Sequence, residues 1–141
     1  MHYHAKLDRD GRQCTAIFVD APGCATCAPS KDRGLVAAKE ALEGWLEAHL
    51  VDGRSPPKPA STARRAEPIA VDPQLAVAVS LRWARQAAGL TQAQLARKVG
   101  VSQQQMAKLE RPGANPSIAT LRKVADALGV QVHFDLVVGA A

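Results

Sequence analysis

The chain opens on an alternation of period two. Tyr3, Ala5 and Leu7 fall on one side and His2, His4 and Lys6 on the other, the pattern of a half-buried strand. Asp8-Arg9-Asp10-Gly11 predicts a hairpin turn, with Asp10-Gly11 its strongest part. Gln13 to Val19 reads as the returning strand, Asp20-Ala21-Pro22-Gly23 as a second turn, and Cys24 to Ala28 as a short third strand of a meander. The period then lengthens. Ser30 can cap a helix on which Leu35, Ala38, Leu42, Trp45, Leu46 and His49 define a buried face, with Lys39, Glu40, Glu43 and Glu47 mostly off it. Gly53 stops that helix, and Pro56, Pro57 and Pro59 keep it stopped. Residues 54–66, with Arg64-Arg65 among small residues, have a linker composition, and Ile69 to Val71 predicts one more short strand.

From Asp72 the period is helical. Asp72 caps a helix with Pro73 in its first position, running to about Ala88 and closed by Gly89. Thr91 caps a second helix to Val99, ended by Gly100, and Ser102 caps a third to about Glu110. Pro112 to Pro116 form a loop, Ser117 caps a fourth helix, and Gly129 stops it. Gln131 to Val138 is β-branched and weakly alternating, which predicts a terminal strand. The fold class is therefore α+β: a small N-terminal α+β domain over 1–53 with a three- to four-stranded sheet and one helix, a linker over 54–71, and an all-α domain with a terminal strand over 72–141.

The stretch Leu90 to Glu110 has the features of two short helices crossing through a tight turn. Ala96 is small where the helices approach, Gly100 permits a left-handed turn residue, Val101 plugs the corner, and Leu95, Val99, Met106 and Leu109 fill the space between. In such a helix-turn-helix the start of the second helix enters the major groove, which points to Ser102, Gln103, Gln104 and Gln105 as base-contacting residues. Glutamine pairs with adenine N6 and N7 in a bidentate manner. Lys108 lies one turn on, within reach of a guanine or a phosphate, and Gln92 opens the preceding helix where a backbone contact is expected. Arg97, Lys98 and Arg111 are further phosphate candidates.

Charge sharpens this division. Residues 1–53 carry six Lys/Arg against eight Asp/Glu, whereas residues 72–130 carry eight against three. An acidic front joined to a basic back implies partners of different charge. With 47% hydrophobic residues a packed core is expected, and no apolar run approaches the ~20 residues of a membrane span. No signal-peptide pattern opens the chain and the cysteines number three, so a reducing, cytoplasmic setting is expected.

The run T-Q-A-Q-L-A-R-K-V-G-V-S-Q-Q-Q-M-A-K-L-E resembles the phage-repressor (Cro/CI, XRE-like) helix-turn-helix family over about residues 75–130. The resemblance implies that Gln103 and Gln104 read bases, that Lys108 holds the family position near the end of the recognition helix, and that dimers bind palindromic operators. The front half resembles the HicB antitoxin family over about residues 1–71, through Asp20-Ala21-Pro22-Gly23-Cys24-Ala25-Thr26, Ala38 to Leu46 and Asp52-Gly53 with its proline-rich tail. That second resemblance implies a partial ribonuclease-H-like fold that blocks a HicA-like mRNA-cleaving toxin, coupled to repression of the operon. The alternative is a stand-alone regulator whose front domain senses a ligand or dimerises. A homodimer or higher even-numbered oligomer is expected, paired through the terminal strand.

Catalysis and metal binding are not expected. Ribonuclease-H chemistry needs carboxylates converging on metal ions, whereas Asp8, Asp10 and Asp20 read as turn formers and Glu40, Glu43 and Glu47 as surface charges. Cys24 and Cys27 form a CxxC, but three residues apart on a strand they face opposite ways. With Cys14 and His2 or His4 they do not make a convincing zinc set, so no metal or cofactor is expected, and His49 and His133 have no visible triad partner.

Overall fold

The computed structural model describes residues 1–139, and its fold is α+β. β1 (His2–Asp10) and β2 (Gln13–Phe18) form an antiparallel hairpin with Asp10 opposite Gln13 and Ala5 opposite Phe18. β3 (Ala25–Ala28) adds to β2 with Cys14 opposite Ala28, and β4 (Glu67–Ala70) adds to β1 with Tyr3 opposite Ile69. The sheet order is β3-β2-β1-β4, so the strand that follows the proline-rich segment closes the far edge.

α1 (Lys31–Val51), capped by Ser30, covers one face of this sheet. Tyr3, Ala5, Ala16, Phe18 and Ile69 point inward to meet Ala38, Leu42, Leu46 and Leu50. The fully inward line steps by four from Gly34 to Leu50, which leaves Leu35, Trp45 and His49 half-buried at its rim. A Cβ on Gly34 would lie 2.9 Å from Cys14 Sγ, so the close approach of α1 to β2 depends on that glycine.

The segment 54–66 has no regular structure but is fastened down. Tyr3 donates its hydroxyl to the Pro57 carbonyl at 2.6 Å, Trp83 donates its indole N–H to the Pro56 carbonyl at 2.8 Å, and Ala60 N–H donates to Asp20 Oδ2 at 3.1 Å. Two sequence expectations change here. Asp20 is no surface turn former: it accepts from the His4 backbone N–H at 2.8 Å and sits 2.7 Å from His4 Nδ1. His4, expected on the solvent side of its strand, is buried by the strap that Asp20 holds.

α2 (Pro73–Ala87) follows, with Asp72 accepting from Gln74 and Leu75 N–H as its cap. α3 (Gln92–Val99), α4 (Gln103–Leu109) and α5 (Ile118–Leu128) complete the helical half. Leu95, Ala96, Met106 and Val124 make a second core, rimmed by Leu81, Leu90, Val99, Val101 and Leu109. α2 serves both cores, because Leu75, Ala78 and Val79 pack into the first and Leu81 into the second.

The terminal strand expected over Gln131–Val138 is not formed. Residues 130–139 are irregular and exposed, with Leu136 fully exposed, and no strand of the described chain pairs with them. Alternation alone does not make a strand without a neighbour to take up its N–H and C=O groups. Among the described residues no helix is long and apolar enough to cross a membrane.

Candidate nucleic-acid interface

α3 has 8 residues and α4 has 7, too short to hold as isolated helices, so their ends and their packing set their geometry. Both open with a reciprocal cap. Thr91 Oγ1 accepts from Gln94 N–H at 3.1 Å while Gln94 Oε1 accepts from Thr91 N–H at 2.9 Å. Ser102 and Gln105 repeat the arrangement at 3.1 and 3.0 Å. Between the helices Gly100 takes φ 83, the left-handed conformation that lets the chain turn at once into α4.

Met106 anchors α4 to the core and is buried to 1%. At ~100° per residue, Gln104 and Lys108 stand roughly 160° either way from Met106 and so mark the outward face. Both are exposed, as is Gln103 on the flank. Gln103, Gln104 and Lys108 make no side-chain hydrogen bond with the rest of the described chain, so their donors and acceptors face solvent.

The other expected contacts are placed differently. Ser102 and Gln105 are exposed, but each spends one polar group on the other, so they shape the helix end before they contact anything. Gln92 is half-buried and its Nε2 donates to Glu110 Oε2 at 3.0 Å. Arg97, Lys98 and Arg111 are exposed, and with Lys108, Arg122 and Lys123 they make the solvent-facing positive charge of this half.

Sequence reading missed the group that holds the motif together. Glu110, exposed by 1%, caps the C-terminus of α4. It accepts from Arg85 Nε at 2.6 Å and Nη2 at 3.0 Å, from Arg82 Nε at 3.3 Å and from Gln92. Burial raises the pKa of this carboxyl. The hydrogen bonds from Arg85 and Gln92, with the charges of Arg85 and Arg82, outweigh it and hold Glu110 below the usual carboxylate range. Two of the eight basic residues in this half are thus internal and unavailable to a polyanion.

The cysteines do not converge. Cys24 is buried, which pushes its thiol up to about 11, and Cys27 is exposed on the edge strand. No group of three or more His, Cys, Asp or Glu among the described residues is placed to hold a metal ion. His49 donates from Nδ1 to the Trp45 carbonyl at 2.8 Å and packs tilted against the Trp45 ring, a position at the core edge.

Comparison with known proteins agrees with this geometry. The helix-turn-helix family model matches residues 81–134. The immunity repressor protein of Bacillus phage phi105 is 54% identical over 43 residues, 30% of this chain and 30% of that protein. An HTH-type transcriptional regulator of Sinorhizobium fredii, y4dJ, described as uncharacterised, is 45% identical over 53 residues, 38% of this chain and 68% of that protein. The shared stretch spans under a third of the phage repressor and about two thirds of the regulator, and in both it falls short of half of this chain. The chain belongs to the helix-turn-helix family of transcriptional regulators.

Proposed function

We propose that the chain is an operator-binding repressor that also serves as the antitoxin of a type II toxin–antitoxin pair. The observation that carries the DNA-binding half is α4 itself. A capped helix is fixed to the core by Met106 and Glu110 and presents Gln103, Gln104 and Lys108 with unused polar groups. Gln104 and Gln103 read adenine edges in the major groove, Lys108 takes a guanine or a phosphate, and Ser102 and Gln105 approach the groove as the helix cap. Gln92, oriented by Glu110, meets the sugar–phosphate backbone, and the exposed Arg97, Lys98 and Arg111 add phosphate contacts. Two members of the relatives' family carry regulator or repressor in their names, which favours regulation over passive DNA coating.

The antitoxin half rests on the HicB-like residues of the front domain and on its sheet-and-helix build with an acidic balance. A HicA-like toxin is small and basic, so charge favours the pairing. In this reading residues 1–53, completed by β4 from within the 54–71 segment, serve the toxin, and residues 72–141 serve DNA and self-association. The setting is the cytoplasm. The unpaired tail, with Phe134, Leu136, Val137 and Val138 exposed, pairs with its copy in a homodimer and so sets two recognition helices on one operator.

Co-expression with the product of the adjacent gene, followed by pull-down and operator binding of the complex, tests both halves. A stable complex that still retards the promoter fragment supports the reading. DNA binding without any complex reduces the protein to a regulator alone. Sedimentation of Leu136→Asp/Val138→Asp as a monomer, against a wild-type dimer, tests the tail.

A further inference from the structure

The cluster around Glu110 reaches beyond α2, α3 and α4 to α1. Arg82 is exposed by only 4%, and all three nitrogens of its guanidinium donate hydrogen bonds. Nε donates to Glu110 Oε2 at 3.3 Å. Nη1 donates to the carbonyl oxygens of Arg54 at 2.8 Å and His49 at 3.4 Å, and Nη2 to that of Leu50 at 3.2 Å. His49 and Leu50 belong to the last turn of α1. The last carbonyls of a helix lack partners within it and form the negative end of its dipole, so a buried cation there is favourable. A guanidinium suits the place because its fixed fork reaches several acceptors at once, which an ammonium cannot do. The other side of the same fork grips the residue that caps α4.

Arg85 supplies an internal contrast. It binds the same carboxylate, but its Nη1 donates to the Leu90 carbonyl at 2.7 Å, within the helix-turn-helix. Of the two arginines, Arg82 alone is bonded to α1 and to the turn after it. Moving the end of α1 strips Arg82 of three acceptors or draws it from Glu110. Either way the C-terminus of α4 loses part of its anchor, at a site too dry for water to substitute cheaply.

We infer that Arg82 is a positioning residue that couples the C-terminal turn of α1 to the recognition helix, so that DNA affinity depends on how the sheet domain holds α1. This rests on α4 being the DNA-reading helix. It supplies the route by which a protein gripping the sheet domain changes operator binding.

Amide hydrogen exchange on the full chain tests it, with operator titration beside it. The variants are Arg82→Lys, Arg85→Lys and Gly53→Val. Gly53 is exposed at φ 71 just after α1, with open space where a Cβ would go, so valine strains that turn and touches no part of the helix-turn-helix. Arg82→Lys is expected to lower protection roughly tenfold at both Asp52–Arg54 and Leu109–Arg111 while β1 and β2 hold. Arg85→Lys is expected to loosen only the second group. Gly53→Val is expected to loosen both groups with Arg82 present; added to Arg82→Lys, it is expected to loosen only the first group further. Operator affinity follows the second group, falling roughly fivefold.

The inference is overturned if Arg82→Lys loosens Leu109–Arg111 alone, or if Gly53→Val leaves α4 unchanged in the wild-type background. Uniform loosening of a folded Arg82→Lys chain also overturns it, since that marks a residue of general stability. If Arg82→Lys does not fold, Gly53→Val against wild type decides. A wild-type chain that binds no DNA refutes the DNA reading, while the exchange data still decide the coupling.

Discussion

The two halves of the molecule are stabilised in different ways. The sheet domain buries Tyr3, Phe18, Leu42, Leu46, Leu50 and Ile69 around α1, and α2 adds Leu75, Ala78 and Val79. Its polar contacts, such as Tyr3 to Pro57, Trp45 to Pro22 and His4 to Asp20, fasten loops around a core already closed. The helix-turn-helix has four buried apolar residues at its centre, two of them Ala96 and Val124. At that core's edge sits a buried carboxylate shared by two arginines and a glutamine. A thick apolar core tolerates small shifts, because dispersion and solvent exclusion are not directional. A buried ion cluster in which all six guanidinium nitrogens donate tolerates few. The half that must present a helix at a fixed attitude is the half held by directional bonds.

Removing the carboxylate is the strongest way to break this contrast. Glu110→Ala leaves Arg82 and Arg85 without their anion and is expected to cost about 3–5 kcal/mol, read from urea unfolding. Exchange should place the loss in α3, α4 and α5. A loss under about 1 kcal/mol would shift the credit to the apolar contacts. Acid should reproduce the effect in milder form. Glu110 titrates lower in the folded state than in the unfolded chain, so its contribution is complete above the ordinary carboxylate pKa and is lost as pH falls through the lower folded value. Circular dichroism below the ordinary carboxylate range should show helix lost before sheet.

Matched truncations sharpen the comparison. Leu46→Ala and Leu95→Ala remove the same side chain from the first and second core and should each cost about 2–5 kcal/mol. Their reach should differ. Leu95→Ala should raise exchange in α3 to α5 and leave the sheet protected. Leu46→Ala should loosen both halves, since α2 packs into the sheet core and carries the arginines. Equal, chain-wide loosening by both variants would mean one cooperative unit with no contrast to explain.

The surface of α4 should answer to neither core. Gln104→Ala removes an exposed side chain and is expected to cost roughly 1–3 kcal/mol at the cognate operator, relaxing one base position. Stability should be unchanged. A loss of stability equal to the loss of operator binding would contradict a surface that answers to neither core.

Much of this was legible in the residues. Period-two and period-3.6 patterns, turn residues and caps placed each helix within a residue or two, because those signals are local. Gln104 and Lys108 were legible as an outward face for the same reason. The Glu110 cluster was not read, although a signal existed. Leu75, Ala78, Val79 and Arg82 lie on one helical stripe, and Glu110 is the sole acidic residue between Asp72 and Asp126. An arginine on a buried stripe requires an anion, and one was available. The His4–Asp20 contact and the strap over it were not legible, since they depend on where residues 54–66 return across the sheet. The tail is no strand within the single chain, because a strand needs a partner that the pattern of one segment does not reveal.

The smallest expected effect closes the comparison, because it sets the same chemistry in the other half. Lys39 Nζ lies 3.8 Å from Glu43 Oε1 on α1, an i,i+4 pair with side chains 52% and 28% exposed. That separation is an ion pair without a hydrogen bond, and Glu43 Oε1 has no hydrogen-bond partner although it is shielded from solvent. Exposed pairs of this kind contribute about 0.3–0.5 kcal/mol, and salt screens them. Lys39→Ala should therefore lower the unfolding free energy, read from urea denaturation, by less than about 0.5 kcal/mol, and by less still at 1 M salt. A loss above about 1.5 kcal/mol would show that the shielded Glu43 oxygen behaves as a buried charge. The sheet domain would then lean on directional electrostatics as the helix-turn-helix does, and thickness of the apolar core would no longer distinguish the two halves.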